Sequence, residues 1–186
     1  MKKLYFLILI LISLNSFSQE RNNISIDLGL ANTHKGFFYL YQGMVDVNIG
    51  YNLKLWKGLY GGAAFQTEYL KLNNSQARTL IFKPKINLHY NINFSEKLSL
   101  VPWMSVGYSF LQIKNKEFGY SDNVAGLNLS PELKLVRKTQ SRVNYYIFGR
   151  YDYIYLNEDP EFTKLEYFRD VHLTSFGIGI YINPKN

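Results

Sequence analysis

From Asn23 to Asn183 the chain alternates apolar and polar residues with a period of two, and it does so in eight successive stretches. Asn23–Ala31 sets Ile24, Ile26, Leu28 and Leu30 against Ser25, Asp27 and Gly29. Gln42–Leu55 sets Val45, Val47, Ile49, Tyr51 and Leu53 against Asp46, Asn48, Gly50 and Asn52. Leu59–Leu70, Thr79–Phe94, Leu98–Ile113, Ala125–Val136, Arg142–Leu156 and Val171–Asn183 repeat the pattern. Such a period belongs to strands, whose successive side chains leave opposite faces. No stretch after residue 19 carries a helical apolar period or an apolar run long enough for a membrane helix. The chain reads as all-β, and any membrane it crosses it must cross as strands.

The stretches are long for a soluble sheet and suit tilted crossings of roughly 9–11 residues. Their connections alternate in length. Trp56-Lys57-Gly58, Ser95-Glu96-Lys97 and Arg137–Ser141 are short, whereas Asn32–Tyr41, Lys71–Arg78, Lys114–Val124 and Asn157–Asp170 are longer. Short turns on one rim and longer loops on the other are expected of outer-membrane barrels, with the turns periplasmic. An even strand count leaves both ends of the barrel on the turn side.

The first residues, MKKLYFLILILISLNSFSQ, read as a secretory signal peptide over 1–18. Lys2 and Lys3 form a positive start, Leu4 to Leu14 an apolar core too short to span a bilayer, and Ser16 and Ser18 the small residues before a cut. The barrel domain is then 19–186. Without Lys2 and Lys3 the net charge of +7 falls to +5, and the bases are dispersed, so nucleic acid is not an expected partner. There is no cysteine, hence no disulfide framework and no thiolate metal site.

Alternation alone does not say which face meets water. A secreted lipocalin-like carrier would bury the apolar side. Two features favour the inverse. The polar faces are built of Gly, Ser, Asn and charges of both signs, as suits a narrow lumen in which a long side chain must find a partner. Aromatics also gather near the ends of apolar faces: Tyr39, Tyr41, Tyr51, Phe65, Tyr69, Tyr90, Phe94, Tyr108, Phe110, Tyr145, Tyr151, Tyr153 and Tyr155. Rings with a hydrated tip settle at the membrane boundary. Pro84, Pro102 and Pro131 fall inside strands on the apolar face, and each removes a ladder donor, so bulges or missing bonds are expected there.

The closing stretch SFGIGIYIN (175–183) resembles the C-terminal signal read by the outer-membrane assembly machinery, with Ser175, Gly177, Ile180 and Ile182 in its fixed places. The chain departs from that pattern by running on through Asn183-Pro184-Lys185-Asn186. With this strand, and with LVPWMSVGYSF (100–110) and LNLSPELKL (127–135), residues 23–183 resemble the small outer-membrane β-barrel family of OmpA/OmpX type, also called the porin family. The resemblance implies an eight-stranded antiparallel up-and-down barrel in the outer membrane of a Gram-negative bacterium, its last strand paired with its first. It implies no single activity, because members serve as anchors, adhesins, small pores or lipid-modifying enzymes. No periplasmic peptidoglycan-binding domain, which some members carry, is expected after the last strand.

Inward charges are expected at Asp27, Asp46, Glu68, Lys83, Lys85, Glu132, Lys134, Arg150 and Asp152. Eight strands leave an interior just wide enough for side chains, so these read as a structural lumen network, with a small porin-like channel as the alternative. His172 and Thr174 share a face near one end of the closing strand and resemble part of the site of the outer-membrane lipid A deacylases, although Thr stands where those use Ser. With no acid evident downstream, no enzymatic activity is expected. His34, His89 and His172 are scattered, so no metal or cofactor is expected. HKGFFYLYQG (34–43) and NEDPEFTKLEYFRD (157–170) are loops that could meet an extracellular partner. Outer-membrane lipids and the assembly machinery complete the expected partners of a monomer.

Overall fold

The first strand is hydrogen-bonded to the last. β1 (Asn23–Thr33) pairs antiparallel with β9 (Asp170–Ile182) without interruption from Ile24↔Ile182 to Thr33↔Leu173. Between them run β2 (Tyr41–Trp56), β3 (Leu59–Leu72), β4 (Ala77–Tyr90), β5 (Ile92–Asn93), β6 (Leu98–Asn115), β7 (Tyr120–Arg137) and β8 (Val143–Leu156). This computed structural model describes residues 22–34, 41–72, 76–115, 119–158 and 169–183. The expected signal peptide, and most of the two loops singled out above, lie outside the described residues.

β5 continues β4 past Asn91, and both pair with β6 in one register, His89↔Trp103 leading on to Ile92↔Leu100. Taken together as one stave they give an eight-stranded barrel, closed by the β1–β9 and β4–β6 ladders, with every neighbour antiparallel. Closure removes the sheet edges that neither lipid nor water-free surroundings could satisfy. The short turns lie on one rim with the ends of β1 and β9, and the longer connections on the other. At the β2–β3 turn Gly58 has φ +73°, a left-handed conformation that a residue with a side chain adopts at a cost.

The inversion expected from the sequence is present. Leu28, Ile86, Leu127 and Ile178 point outward with 53–67% of their surface open, while Asp27, Glu68, Lys83 and Lys134 point inward with none. A water-soluble carrier would show the reverse distribution. Around the turn rim Tyr51, Trp56, Tyr90, Phe94 and Tyr145 stand exposed on the outer wall. Tyr41, expected in the outer girdle, is instead buried in the lumen, because the register shift between Gly43 and Val45 reverses which face the start of β2 presents.

All three strand prolines interrupt a ladder, and none bulges it. The β4–β6 ladder skips from Phe82↔Phe110 to Lys85↔Gly107 around Pro84. β7–β8 skips from Leu129↔Tyr153 to Glu132↔Arg150 around Pro131. Around Pro102, which falls opposite Tyr90, the pairing with β6 skips from His89↔Trp103 to Ile92↔Leu100, the break that separates β4 from β5. Register resumes unchanged each time, so the missing donor is absorbed as lost rungs. The irregularities that do shift register fall elsewhere, between Gly29 and Asn32, Gly43 and Val45, and Lys54 and Trp56.

Candidate functional site

Strand register assembles the interior in three layers. In the middle layer Asp27 stands across from Asn48, Asp46 from Glu68, Gln66 from Lys83, and Glu132 from Arg150. β6 and β9 contribute small residues at this height, Ser105, Gly107, Ser109, Ser175 and Gly177, which leaves room for the long side chains of their neighbours. Arg150 is the hub. Its Nη2 lies 3.0 Å from Asp46, and Nη1 and Nε reach Glu132, Asp27 and Asp152 at 3.6–3.8 Å. Lys83 lies 2.8 Å from Glu68 and 3.3 Å from Asp152, and Lys134 lies 3.3 Å from both Asp27 and Glu132. Lys85 donates to Gln66 Oε1 at 2.5 Å. The nine charged residues expected in the lumen thus share one layer, none more than 6% exposed. Taking such charges out of water is costly, and their mutual pairing is what offsets it.

The layer is further satisfied by neutral groups. Asn48 Nδ2 donates to Asp27 at 2.6 Å, as does the Tyr146 hydroxyl, and Gln66 Nε2 donates to Asp46 and Glu68 at 3.0 and 2.7 Å. Ser130 Oγ donates to Asp152.

A uniformly polar lumen is not what forms, and here the sequence reading is corrected. Toward the loop rim the interior is apolar: Leu70, Ile81, Leu111, Ile113, Ile154, Leu156, Val171 and Leu173 pack with Ala31, Tyr41, Ala77 and Val124. Toward the turn rim it is aromatic. Trp103, Tyr146 and Tyr181 surround Lys134 Nζ at 4.1, 4.5 and 5.3 Å from their ring centroids, in the range of cation–π attraction. His89 is stacked between Trp103 and Tyr60, with centroids 4.1 and 5.0 Å apart. The signal for both layers was strand parity: Tyr146 and Phe148 share the face of Arg150, and Ile154 and Leu156 share that of Asp152.

The closing strand places Ser175 and Gly177 inward, and Ile180 and Ile182 outward beside Ile26 and Ile24 of β1. Gly177 and Gly179 stand across β8 from Phe148 and Tyr146, and a Cβ on either glycine would collide with those rings. Their bareness makes room for the aromatic layer.

On the outer wall near the loop rim, His172 Nδ1 lies 2.5 Å from the Tyr151 hydroxyl, and Asp170 accepts from the Tyr153 hydroxyl at 2.5 Å. Asp170 is upstream of His172 on the same strand, so the acid missed in the sequence does exist, yet its hydrogen bond goes to tyrosine. His172, Thr174 and Asp170 do not form a nucleophile–base–acid relay.

No protein-family model and no curated protein matches the sequence. Solved structures match the fold. Neisserial surface protein A superimposes with a TM-score of 0.69 at 10% identity, over 88% of this chain and 97% of that one. Ail of Yersinia pestis, the attachment invasion locus protein, does so with 0.56 at 15% identity, over 89% and 100%; Ail is also known in complex with the heparin analogue sucrose octasulfate. The N-terminal barrel domain of OprF from Pseudomonas aeruginosa gives 0.54 at 16% identity, over 88% and 100%. The chain has the fold of the small eight-stranded outer-membrane β-barrels.

Proposed function

We propose that the protein is an integral outer-membrane barrel of a Gram-negative bacterium, exported behind residues 1–18, that serves envelope structure or surface interaction without enzymatic activity. Ser175, Gly177, Ile180 and Ile182 act as its assembly signal. The observation that carries this reading is the pairing of an apolar outer wall with a lumen blocked twice, by a buried ion-pair layer and by the apolar layer above it. An ion entering from the loop side would have to shed its hydration among Leu and Ile side chains, and the same obstruction argues against a small channel.

A surface role is supported by the rim. The β6–β7 ladder runs to Asn115↔Tyr120, whereas β7–β8 ends at Gly126↔Leu156. Among the described residues, the β6–β7 hairpin therefore rises past β8, while β4 accompanies β6 as far as Ala77↔Asn115, and this raised part of the rim is suited to contact with a partner. A barrel of this fold, Ail, is known in complex with the heparin analogue sucrose octasulfate, which supports a binding role for this one.

Membrane fractionation with heat-modifiable gel migration tests the location: folded protein in the outer-membrane fraction, running faster before boiling, is expected, and soluble periplasmic protein would refute it. Planar-bilayer recording of the folded barrel tests the seal, with no discrete conductance steps expected. Lipid A mass spectrometry with and without the protein is expected to show no difference.

A further inference from the structure

Strand register brings three cations together on the outer wall at the loop rim. Lys71 of β3 stands across from Arg78 of β4, and Arg78 across from Lys114 of β6. Gln42 of β2 and Ser121 of β7 continue the same row on either side. All five side chains are exposed. Neighbours across a ladder stand about 5 Å apart, so the three basic residues span roughly 10 Å of wall. Like charges in directly opposed positions destabilise a sheet unless a counter-charge lies between them. Among the described residues none does. The outer faces of β2, β3, β4, β6 and β7 carry no carboxylate, since Asp46, Glu68, Asp122 and Glu132 all point inward. Nor do Lys71, Arg78 and Lys114 have a hydrogen-bond or ion-pair partner among the described residues. The row is one-sided: β9, diametrically opposite β4, places Asp170 at this rim, bonded to Tyr153 of β8.

Below the row the wall turns apolar. Under Arg78 and Lys114 come Leu80 and Gln112, then Phe82 across from Phe110, with Ala125 next to Phe110 on β7. A groove of about 340 Å³ opens beside the small Ala125, walled by Phe82, Phe110, Gln112 and Asn123. It starts one outward position, about 7 Å, below Lys114. Unneutralised cations directly above an apolar groove complement an amphiphile, with anionic oxygens at the row and a hydrocarbon chain beneath. A soluble polyanion would leave the groove empty, and an uncharged lipid would leave the row unneutralised. Three cations also exceed the charge of a single phosphodiester.

We propose that this face of the barrel is a docking site for one multiply phosphorylated lipid of the outer leaflet, its phosphates on Lys71, Arg78 and Lys114 and an acyl chain in the groove beside Ala125. The assignment rests on the outer-membrane location proposed above, which sets the loop rim in the outer leaflet. Arg and Lys suit the task, because their stems lie along apolar wall while the charged heads reach headgroup level.

The full-length barrel, folded in neutral detergent and checked by heat-modifiable migration, is titrated with bis-phosphorylated lipid A, phosphatidylglycerol or phosphatidylcholine, and retained lipids are counted by native mass spectrometry. One lipid A is expected to be held with a dissociation constant of roughly 10 μM or tighter, phosphatidylglycerol more weakly, and phosphatidylcholine at least about tenfold more weakly. The variant Lys71→Gln/Arg78→Gln/Lys114→Gln, changed at exposed positions alone, should weaken lipid A binding about tenfold or more. Ala125→Phe, whose ring fills the groove, should weaken it about threefold or more with the row intact. A soluble sulfated oligosaccharide at equal concentration should not displace the lipid. Equal retention of phosphatidylcholine, or undiminished binding in either folded variant, would overturn the proposal. So would displacement by the oligosaccharide, which would assign the row to an extracellular polyanion. Each of these results refutes the site in a barrel that still fractionates with the outer membrane, whereas soluble periplasmic protein would refute the location itself.

Discussion

Tyr146 stands across the β8–β9 ladder from Gly179, and its ring occupies the space that a side chain at 179 would need. The hydroxyl at the ring's far end donates to Asp27, so one residue covers a bare strand and also fixes the ion-pair layer. Gly179→Ala is expected to destabilise the barrel by about 1–3 kcal/mol, because the methyl group forces the ring off its position. Denaturant unfolding of micelle-folded protein measures this. In a Tyr146→Ala background the same substitution should cost less, with a remainder from the Ile26 carbonyl oxygen, which would lie 2.7 Å from that Cβ, and equal costs in the two backgrounds would show that the ring is not an obstacle.

Arg150 and Glu68 belong to one layer but carry unequal weight. Arg150 faces Asp46, Asp27, Glu132 and Asp152, so Arg150→Met leaves four carboxylates without their shared cation and should cost about 3–5 kcal/mol. The layer holds five carboxylates against four cations, and Glu68 Oε2 has no hydrogen-bond partner among the described residues. Glu68→Gln removes the surplus negative charge while Lys83 keeps Asp152 at 3.3 Å, so its effect should stay within about 1 kcal/mol of the parent. Unfolding curves of the two variants decide this; a larger loss for Glu68→Gln than for Arg150→Met would contradict the hub assignment.

Ile154 and Ile147 lie on the same strand and differ in what fills a gap beside them. Ile154 is wholly enclosed in the apolar layer, whereas Ile147 stands on the outer wall with 58% of its surface open. Truncation to Ala loses transfer free energy at both. Only inside does a void persist, since acyl chains or detergent tails flow into the space outside. Ile154→Ala should therefore cost about 1–2 kcal/mol more than Ile147→Ala in unfolding measurements.

How much of this was legible follows from what a period of two can encode. Parity sorted Asp27, Lys83, Lys134 and Arg150 to one side and Ile49, Ile147 and Phe176 to the other, and closure required β9 to meet β1. Those followed from local alternation and the cost of an open edge. Parity does not say how high on the wall a residue sits. The division of the lumen into apolar, ionic and aromatic layers depends on stagger between strands, which residues far apart in sequence set jointly. Near the loop rim both parities turn apolar, as in Tyr153-Ile154-Tyr155-Leu156, and there the contrast that marks inside from outside disappears. Tyr41 was misplaced for another reason, the register shift between Gly43 and Val45, which swaps the faces of β2 without a mark in its alternation.

The prolines expose a competition between ladder and chain entropy. Around Pro131 the β7–β8 pairs are absent, yet the register on either side is the same, so the backbone geometry for a normal rung is retained. Pro131→Val would supply an amide on the β8 side, and a recovered hydrogen bond contributes about 0.5–1.5 kcal/mol net. Loss of the ring also frees the unfolded chain, which costs about 0.4–1 kcal/mol, so the two effects should nearly cancel in unfolding experiments. Hydrogen exchange separates them. The new amide at position 131 is expected to be protected about as well as the amides of Leu129 and Glu132, with the gap in the ladder closed. Fast exchange at 131 in a stably folded variant would mean that something other than the missing donor holds β7 and β8 apart at this height.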